Sequence, residues 1–343
     1  MNHFNLALLG FGNVGQALAR LLQRKRDSLL KEYGLTFTIT GIATGRHGMA
    51  IQPRGIDLDR ALMLISSGSR LDELTSHPGL DDPFEFIYAC GADVLFENTP
   101  VNYIDGQPAV SYLQTALEAG MHAITANKGP VVHAHRELCA LAEAHGHKFF
   151  FESAVMDGAP IFSLFRYNLP VVELRGFMGI LNSTTNLILT RMEAGESFQA
   201  AVTYAQSIGI AETDPSGDID GWDAAVKVAA LVTVLMGIPL KPAQVSRTGI
   251  RSLTSDDILQ ARQQNQRWKL VCSAHRSGDQ VTAQVAPQLV SADSPLYGVN
   301  GTSSIVAFET DVLPQLSIVE GNPGPETTAY GLLADFINAT RQL

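Results

Sequence analysis

No run of apolar residues in this 343-residue sequence approaches the roughly 20 needed for a helix to cross a bilayer, so no membrane span is expected. Cysteine is scarce. Cys90, Cys139 and Cys272 are odd in number, widely spaced and form no CxxC pair, which argues against a disulfide scaffold and against structural zinc. They read as inert thiols in a reducing compartment. His133 and His135 lie two apart with no second ligand pair at zinc spacing, and read as loop or surface histidines. Positive charge is short as well: 24 Lys and Arg against 34 Asp and Glu leave a net charge of −10. The one basic run, Arg24-Lys25-Arg26, is soon balanced by Asp27 and Glu32, so a nucleic-acid partner is excluded. Repeats and low-complexity stretches are lacking. Met1 to Gly10 has no basic n-region and no cleavage site, and reads as a first strand rather than a signal peptide. A soluble, cytoplasmic protein is the expectation.

What is present is globular: 45% of residues are hydrophobic and 17% charged, over a length that suits two packed domains. Asn5-Leu-Ala-Leu-Leu9 is a short apolar run ending at Gly10-Phe-Gly-Asn-Val-Gly15. Helical spacing follows at once in Val14, Ala17, Leu18, Leu21 and Leu22. Phe37 to Ala43 is a second β-rich run, Asp93 to Glu97 a later strand, and His122 to Thr125 another. Helices are predicted around 109–119 and 133–144. That alternation predicts a Rossmann-type, doubly wound parallel sheet. Past Phe149 the pattern changes. A long strand is predicted over 171–181, helices near 186–193, 198–208 and 222–236, and strands near 269–275 and 280–287 about the turn Arg276-Ser-Gly-Asp279. This predicts an α+β second domain, and the helical stretch 327–341 is expected to return to the first. The expected division is 1–148 with 305–343 as the nucleotide domain, and 149–304 as the substrate, catalytic and dimerisation domain.

Gly10-x-Gly12-x-x-Gly15 stands where a dinucleotide motif must stand, after a strand and at the opening of a helix. The first glycine permits the turn, the second lets the backbone approach a pyrophosphate, and the third lets helix pack on strand. Asn13 and Val14 fall inside the same loop. An acid at the end of the second strand would bind the ribose 2′-hydroxyl of NAD. This sequence has Ala43-Thr-Gly-Arg-His47 there instead. With Thr44 beside it, Arg46 can pair with a 2′-phosphate and His47 can assist, so NADP is expected ahead of NAD.

Hydride transfer from an alcohol also needs a group that takes the hydroxyl proton. Two lysines stand in suitable places. Lys128 lies just past a strand of the nucleotide domain, where ligands of open α/β sheets sit. Lys227 shares a helical stripe with Ala230, Leu231 and Val234; a surface i,i+4 pair with Asp223 is the plainer alternative. The segment Glu212-Thr-Asp214-Pro-Ser-Gly-Asp218-Ile-Asp220-Gly-Trp-Asp223-x-x-x-Lys227 puts five acids and a lysine at one loop-to-helix junction, a repulsive arrangement that a bound ammonium would relieve.

That segment matches the signature of the homoserine dehydrogenases, and the resemblance covers most of residues 5–340. Phe151-Glu-Ser-Ala-Val155 with Gly158-x-Pro160 is similar to the family's hinge, although Val155-Met-Asp-Gly158 stands where the family usually has a glycine run. Gly179-Ile-Leu-Asn-Ser-Thr-Thr-Asn-Leu-Ile-Leu189 resembles its strand-to-helix motif, and Asn98-Thr99, Asn127-Lys128, Thr328-Ala329 and Asp335 its cofactor side and closing helix. The loop after Gly321 lacks the usual G-x-G-A-G.

The resemblance implies interconversion of L-homoserine and L-aspartate 4-semialdehyde with NAD(P), a step of threonine, methionine and isoleucine biosynthesis. It implies Lys128 and Lys227 as the catalytic pair, and Glu212, Asp218, Asp223, Asn182 and Thr184 around the substrate. Gly10, Gly12, Asn13, Val14, Gly15, Thr44, Arg46, Asn98, Thr99, Lys128 and Thr328 would meet the cofactor. It further implies a monovalent metal ion, Na+ or K+, at Glu152 and Val155, and a homodimer built through the second domain. The family's regulatory domain and a preceding kinase domain are not expected here, nor is allosteric inhibition by threonine. Two alternatives compete: another NADP-dependent amino-acid dehydrogenase of this architecture, which a substrate panel would separate, and a non-catalytic NADP-binding sensor, which predicts loss of a lysine or of the acidic cluster.

Overall fold

The computed structural model describes residues 1–341, which divide into two compact units. The first comprises Met1–Pro160 and the segment from Gly324 onward; the second is Ile161–Pro323.

In the first unit β1 (Asn2–Leu9) runs into α1 (Asn13–Tyr33), then β2 (Leu35–Ala43), β3 (Met49–Ile51), α2 (Leu58–Ser66), α3 (Pro83–Ala89), β4 (Val94–Glu97), α4 (Ala109–Glu118), β5 (His122–Thr125), α5 (Lys128–His133), α6 (His135–Ala144) and β6 (Phe149–Phe150). The sheet order is β3-β2-β1-β4-β5-β6. All neighbours are parallel except β2 and β3, which are antiparallel because only Thr44–Gly48 join them. The strand order reverses between β1 and β4, which opens the crevice beside the glycine loop. β1 is fully buried over Leu6–Leu9, as a strand covered on both faces must be. The helix expected over 133–144 is α6, which starts at His135 because Ala134, at φ −139°, is not helical and separates it from α5.

The second unit holds β7 (Leu174–Ile180), α7 (Ser183–Glu193), α8 (Phe198–Ser207), α9 (Ser216–Ile219), α10 (Trp222–Leu235), β8 (Ser246–Arg247), α11 (Ser255–Gln263), β9 (Gln266–Ser277), β10 (Gln280–Ser291), β11 (Ser304–Thr310) and β12 (Leu316–Glu320). Their sheet order is β12-β11-β7-β9-β10-β8, antiparallel throughout except for β10 with β8. β7 starts three residues later than expected because Val171 is fully exposed with φ +61°, a turn conformation a strand cannot hold. β9 and β10 are longer than expected, since their ladder continues from the turn to Gln266 and Ser291.

The last described helix, α12 (Pro325–Thr340), belongs to the first unit. It buries Ala329, Leu332, Leu333, Phe336 and Ala339 in one core with Leu18, Leu21 and Leu22 of α1. Phe336 meets Phe4 and Phe96 edge-on, at 5.9 and 6.2 Å between centroids. The units therefore part at 160/161 and 323/324, not at the expected 148/149 and 304/305. Residues 304–320 stay in the second unit because β11 pairs with β7 and β12 extends that sheet.

Candidate active site

The first unit's site is built on its glycine loop. Gly10 has φ +97°, and a Cβ there would lie 2.4 Å from the carbonyl oxygen of Asn98. A Cβ on Gly15 would lie 2.3 Å from the carbonyl oxygen of Gly10. Both are glycines because the protein's own backbone fills the space. Gly12 differs: nothing lies within 4 Å of its Cβ position, so its missing side chain leaves open space at the head of α1. Gly12 caps that 21-residue helix without a side-chain hydrogen bond, so the first-turn N–H groups are available to an anion. Asn13 is exposed at the same turn.

Where β2 ends, the Thr44 hydroxyl is used inside the turn: it donates to the Gly48 carbonyl (3.1 Å) and accepts from the His47 N–H (2.7 Å). The His47 ring is tied through Nδ1 to the Ser69 carbonyl at 2.9 Å. Arg46 is exposed and makes no hydrogen bond or ion pair among the described residues.

Past β1 in the sheet, at the ends of β4 and β5, lies a cavity of about 270 Å³. Val14, Asn98, Thr99, Lys128, Asp157 and Thr328 are among its lining residues. Glu97, fully buried, organises this end. Its Oε1 accepts from the N–H (2.7 Å) and hydroxyl (2.5 Å) of Thr99, and its Oε2 from the Thr125 hydroxyl (2.7 Å). Burial still holds its carboxyl above the usual range, against these donors. The Thr125 oxygen accepts from the Asn127 N–H, and the Asn127 side chain donates to the Thr99 carbonyl and caps Gly129, which sets Lys128 at the first position of α5. Both polar atoms of the Asn98 side-chain amide are buried and have no hydrogen-bond partner among the described residues. A donor–acceptor pair left unsatisfied beside a cavity fits a ligand that carries its own amide, as the nicotinamide carboxamide does. Glu152 and Val155 are buried in the segment after β6, where the Glu152 N–H donates to Asp335 (2.7 Å) and the Ser153 hydroxyl to the Thr328 carbonyl (2.7 Å).

The second unit's site forms around α10, whose only polar side chains are Asp223, Lys227 and Thr233. The Lys227 ammonium lies 3.0 Å from Asp223 and donates to the Leu181 carbonyl at 2.6 Å. Both side chains of the pair are largely buried, at 16% and 11% exposure, so this is not the surface pair that the spacing alone allows. Asn182, the N-cap of α7, donates from its amide to Asp218 (2.6 Å) and to Asp223 (3.0 Å), and accepts from the Thr185 N–H. The amide thus holds two like charges side by side. Burial and the neighbouring Asp223 push the Asp218 carboxyl up, while Asn182, the Thr184 hydroxyl and Lys227 oppose the rise. Glu212 makes no side-chain bond to this cluster among the described residues: it is exposed, and its backbone carbonyl accepts from the Gln206 side chain.

The model of the homoserine dehydrogenase family matches residues 160–337, and that of the homoserine dehydrogenase NAD-binding domain matches residues 10–152. The chain is 38% identical over 341 residues to the NAD(+)-dependent homoserine dehydrogenase of Pseudomonas canavaninivorans, which spans 98% of this chain and 96% of that one. It is 34% identical to the homoserine dehydrogenase of Methanocaldococcus jannaschii, over 97% and 98% of the two chains. A crystal structure of a homoserine dehydrogenase from Thiobacillus denitrificans matches with a TM-score of 0.84 at 29% identity, over 99% of this chain and 74% of that one. The chain belongs to the homoserine dehydrogenase family. It is accordingly an oxidoreductase acting on a CH–OH group with a nicotinamide cofactor, and its small-molecule chemistry is that of amino-acid biosynthesis.

Within this homoserine dehydrogenase fold, sequence reasoning passed over Glu97 and Asp157 as residues that shape the sites, and took Cys272 only as an inert thiol. Glu97 reads as an ordinary strand-end acid until its three donors are seen. Asp157 lines the first unit's cavity in a left-handed conformation, φ +40°. Cys272, opposite Gly179 in the β7–β9 ladder, is fully buried; burial raises its thiol to about 12, against the Leu181 backbone N–H and the nearby Lys227 charge. No helix among the described residues is long and apolar enough to cross a membrane.

Proposed function

We propose that this chain interconverts L-homoserine and L-aspartate 4-semialdehyde, with NADP preferred over NAD. The observation that carries the reading is the Lys227 ammonium. Asp223 and the Leu181 carbonyl take two of its protons, no acceptor among the described residues takes the third, and Asp218 stands beside the same amide clamp.

What the bound cofactor supplies is a hydride acceptor in one direction and a donor in the other. The chain's residues do the rest. Gly12 and the first turn of α1 receive the pyrophosphate, and Asn98, Thr99 and Thr328 receive the nicotinamide end. Lys128 and Lys227 are the proposed catalytic lysines, one accepting the hydroxyl proton and the other steadying the alkoxide. Asp218 and the exposed Glu212 carboxylate hold the substrate ammonium. Asp223 orients Lys227, Thr184 supports Asp218, and Asn182 acts by gathering the two carboxylates, since both hang on its one amide group.

The NADP preference rests on Arg46, an exposed guanidinium with no competing acid after β2. Thr44 shapes that turn. The relative from Pseudomonas canavaninivorans is named for NAD(+), so the two cofactors must be compared directly. A monovalent cation suits the backbone oxygens and the Glu152 carboxylate of the buried Glu152–Val155 turn; it would brace the turn, and no proton or hydride step runs through it. The assembly proposed is a homodimer paired through the second unit's sheet, whose Met178, Leu289 and Val319 are exposed at 44, 45 and 62%. The proposed location is the cytoplasm, where the buried thiols of Cys90 and Cys272 stay reduced.

The test is an absorbance assay with aspartate semialdehyde and each reduced cofactor, run in reverse with homoserine at rising pH. Turnover is expected both ways, with oxidation faster at alkaline pH. Arg46→Ala is expected to weaken NADP binding about tenfold or more, on the scale of a lost charge-assisted pair, and to spare NAD. No turnover in either direction with either cofactor overturns the reading. Equal losses for both cofactors overturn the role of Arg46.

A further inference from the structure

The cavity at the ends of β4 and β5 contains a carboxylate that the mechanism above does not use. Asp157 lines it beside Asn98, Thr99 and Lys128. Its backbone lies in the left-handed region at φ +40°, a conformation that favours glycine and that only a minority of other residues adopt, with Asp and Asn the best tolerated. The conformation is enforced from outside. The next residue, Gly158, is packed so closely on α12 that a Cβ would lie 2.5 Å from the Thr327 carbonyl oxygen. The side chain is held too: Asp157 Oδ2 accepts from the Thr327 hydroxyl at 2.8 Å, in the first turn of α12. Oδ1 has no partner among the described residues. A negative charge is therefore fixed at the wall of a small cavity, in a conformation held by its surroundings.

We propose that Asp157 sets the preference of this site for the oxidised over the reduced nicotinamide. The inference rests on the assignment of this cavity to the nicotinamide end of the cofactor. That assignment follows from the sheet order, in which β2 and the glycine loop lie to one side of the crevice and β4 and β5 to the other. The oxidised and reduced cofactors have the same phosphates, ribose and carboxamide; the oxidised ring carries one positive charge and the reduced ring none. A wall charge acts on the difference alone. The Asp157 carboxylate attracts the cationic ring across the cavity and leaves the neutral ring unaffected, so its removal weakens binding of the oxidised form alone. For unit charges several ångströms apart in a partly hydrated site, Coulomb's law makes this difference about tenfold in relative affinity. A tenfold ratio corresponds to ~30 mV in the two-electron potential of the bound cofactor, lowered by the tighter hold on the oxidised form, which on the enzyme favours reduction of the aldehyde.

The experiment measures dissociation constants of both redox forms by calorimetry, on the full chain and on Asp157→Asn, Asp157→Gly and Glu326→Gln. Asn keeps the acceptor for Thr327 and tolerates the backbone; Gly removes the conformational constraint as well. Both substitutions at 157 are expected to shift the affinity ratio about tenfold toward the reduced form. Glu326→Gln removes an exposed charge, paired at 3.4 Å with Arg24, from the same helical turn, and is expected to leave the ratio within about twofold. An unchanged ratio in Asp157→Asn, with both forms still binding, overturns the inference and leaves the cofactor site standing. An equal shift in Glu326→Gln overturns it too, by showing a diffuse field rather than a wall charge. Failure of either redox form to bind the unaltered chain removes the site assignment, and the inference with it.

Discussion

The ammonium of Lys227 sits 3.0 Å from the carboxylate of Asp223, one helical turn earlier on a helix that is otherwise almost wholly apolar. A pair so placed has lost most of its hydration and gains from the Leu181 carbonyl and the Asn182 amide. Lys227→Met is expected to lower kcat by at least ~10², the usual scale for loss of a proton-transfer group, while cofactor binding to the glycine-loop unit changes little. Lys128→Met is expected to lower kcat similarly. Normal turnover by a folded Lys227→Met protein would reduce the pair to a packing feature.

The glycines of the loop predict a split between folding and binding. Gly15→Ala forces a Cβ against the Gly10 carbonyl oxygen, and is expected to lower stability by roughly 1–3 kcal/mol, the range for overpacking. Gly12→Ala meets nothing in the protein. It is expected to melt normally and to bind the cofactor at least about tenfold more weakly, because the added methyl occupies the approach to the first turn of α1. Chemical denaturation and cofactor titration of the two variants read the two effects separately. Unweakened binding by Gly12→Ala would place the pyrophosphate elsewhere.

Lys269 gives the second unit a measurable pH dependence. It is fully buried in β9, where its ammonium donates to the Asn186 side chain (3.0 Å) and the Val299 carbonyl (2.6 Å). Burial, aided by Arg267 and opposed by Glu193, lowers its pKa from 10.5 to about 8. Between those values the unfolded chain binds the extra proton, so this group makes stability rise with pH from about 8 to 10.5, by on the order of 3 kcal/mol. As pH falls through 8 that contribution is lost. The buried thiols act oppositely. Cys90 and Cys272 are raised from 9.0 to about 11 and about 12, so the stability they supply below pH 9 is lost as pH climbs through those values. The diagnostic is therefore the difference between the unaltered chain and Lys269→Met in urea unfolding at pH 7.5 and 10. Equal pH slopes in the two proteins would show that Lys269 does not titrate there.

Much of the fold could be read from periodicity. The strand–glycine loop–helix unit at the start, α10 and α12 appear close to their predicted limits because each has an apolar face with clear stops. Other features depend on contacts that no local pattern records. The break at Ala134 and the turn at Val171 lie inside runs of good helix- and strand-forming composition. β11 and β12 belong to the second sheet because of their partner β7, not because of their own sequence. At the sites, residue type and spacing singled out Lys227, Asp218 and Asp223, but not that Asn182 joins the two acids or that Glu212 remains exposed. Glu97 and Asp157 were overlooked for the same reason: a carboxylate's role is set by what surrounds it, and the Thr99, Thr125 and Thr327 donors come from other segments.

The return of α12 to the first unit has a consequence for the order in which the chain matures during synthesis. All of the second unit's residues are synthesised before Pro325, so every strand of its sheet exists in the chain before α12 does. The first unit, although begun earliest, must wait for Leu332 and Phe336. Until they arrive, Phe4, Phe96 and the inner face of α1 lack part of their cover. For that interval the newborn chain exposes the apolar surface that chaperones bind, and a message cut short near codon 323 would yield a polypeptide whose nucleotide-binding half never seals.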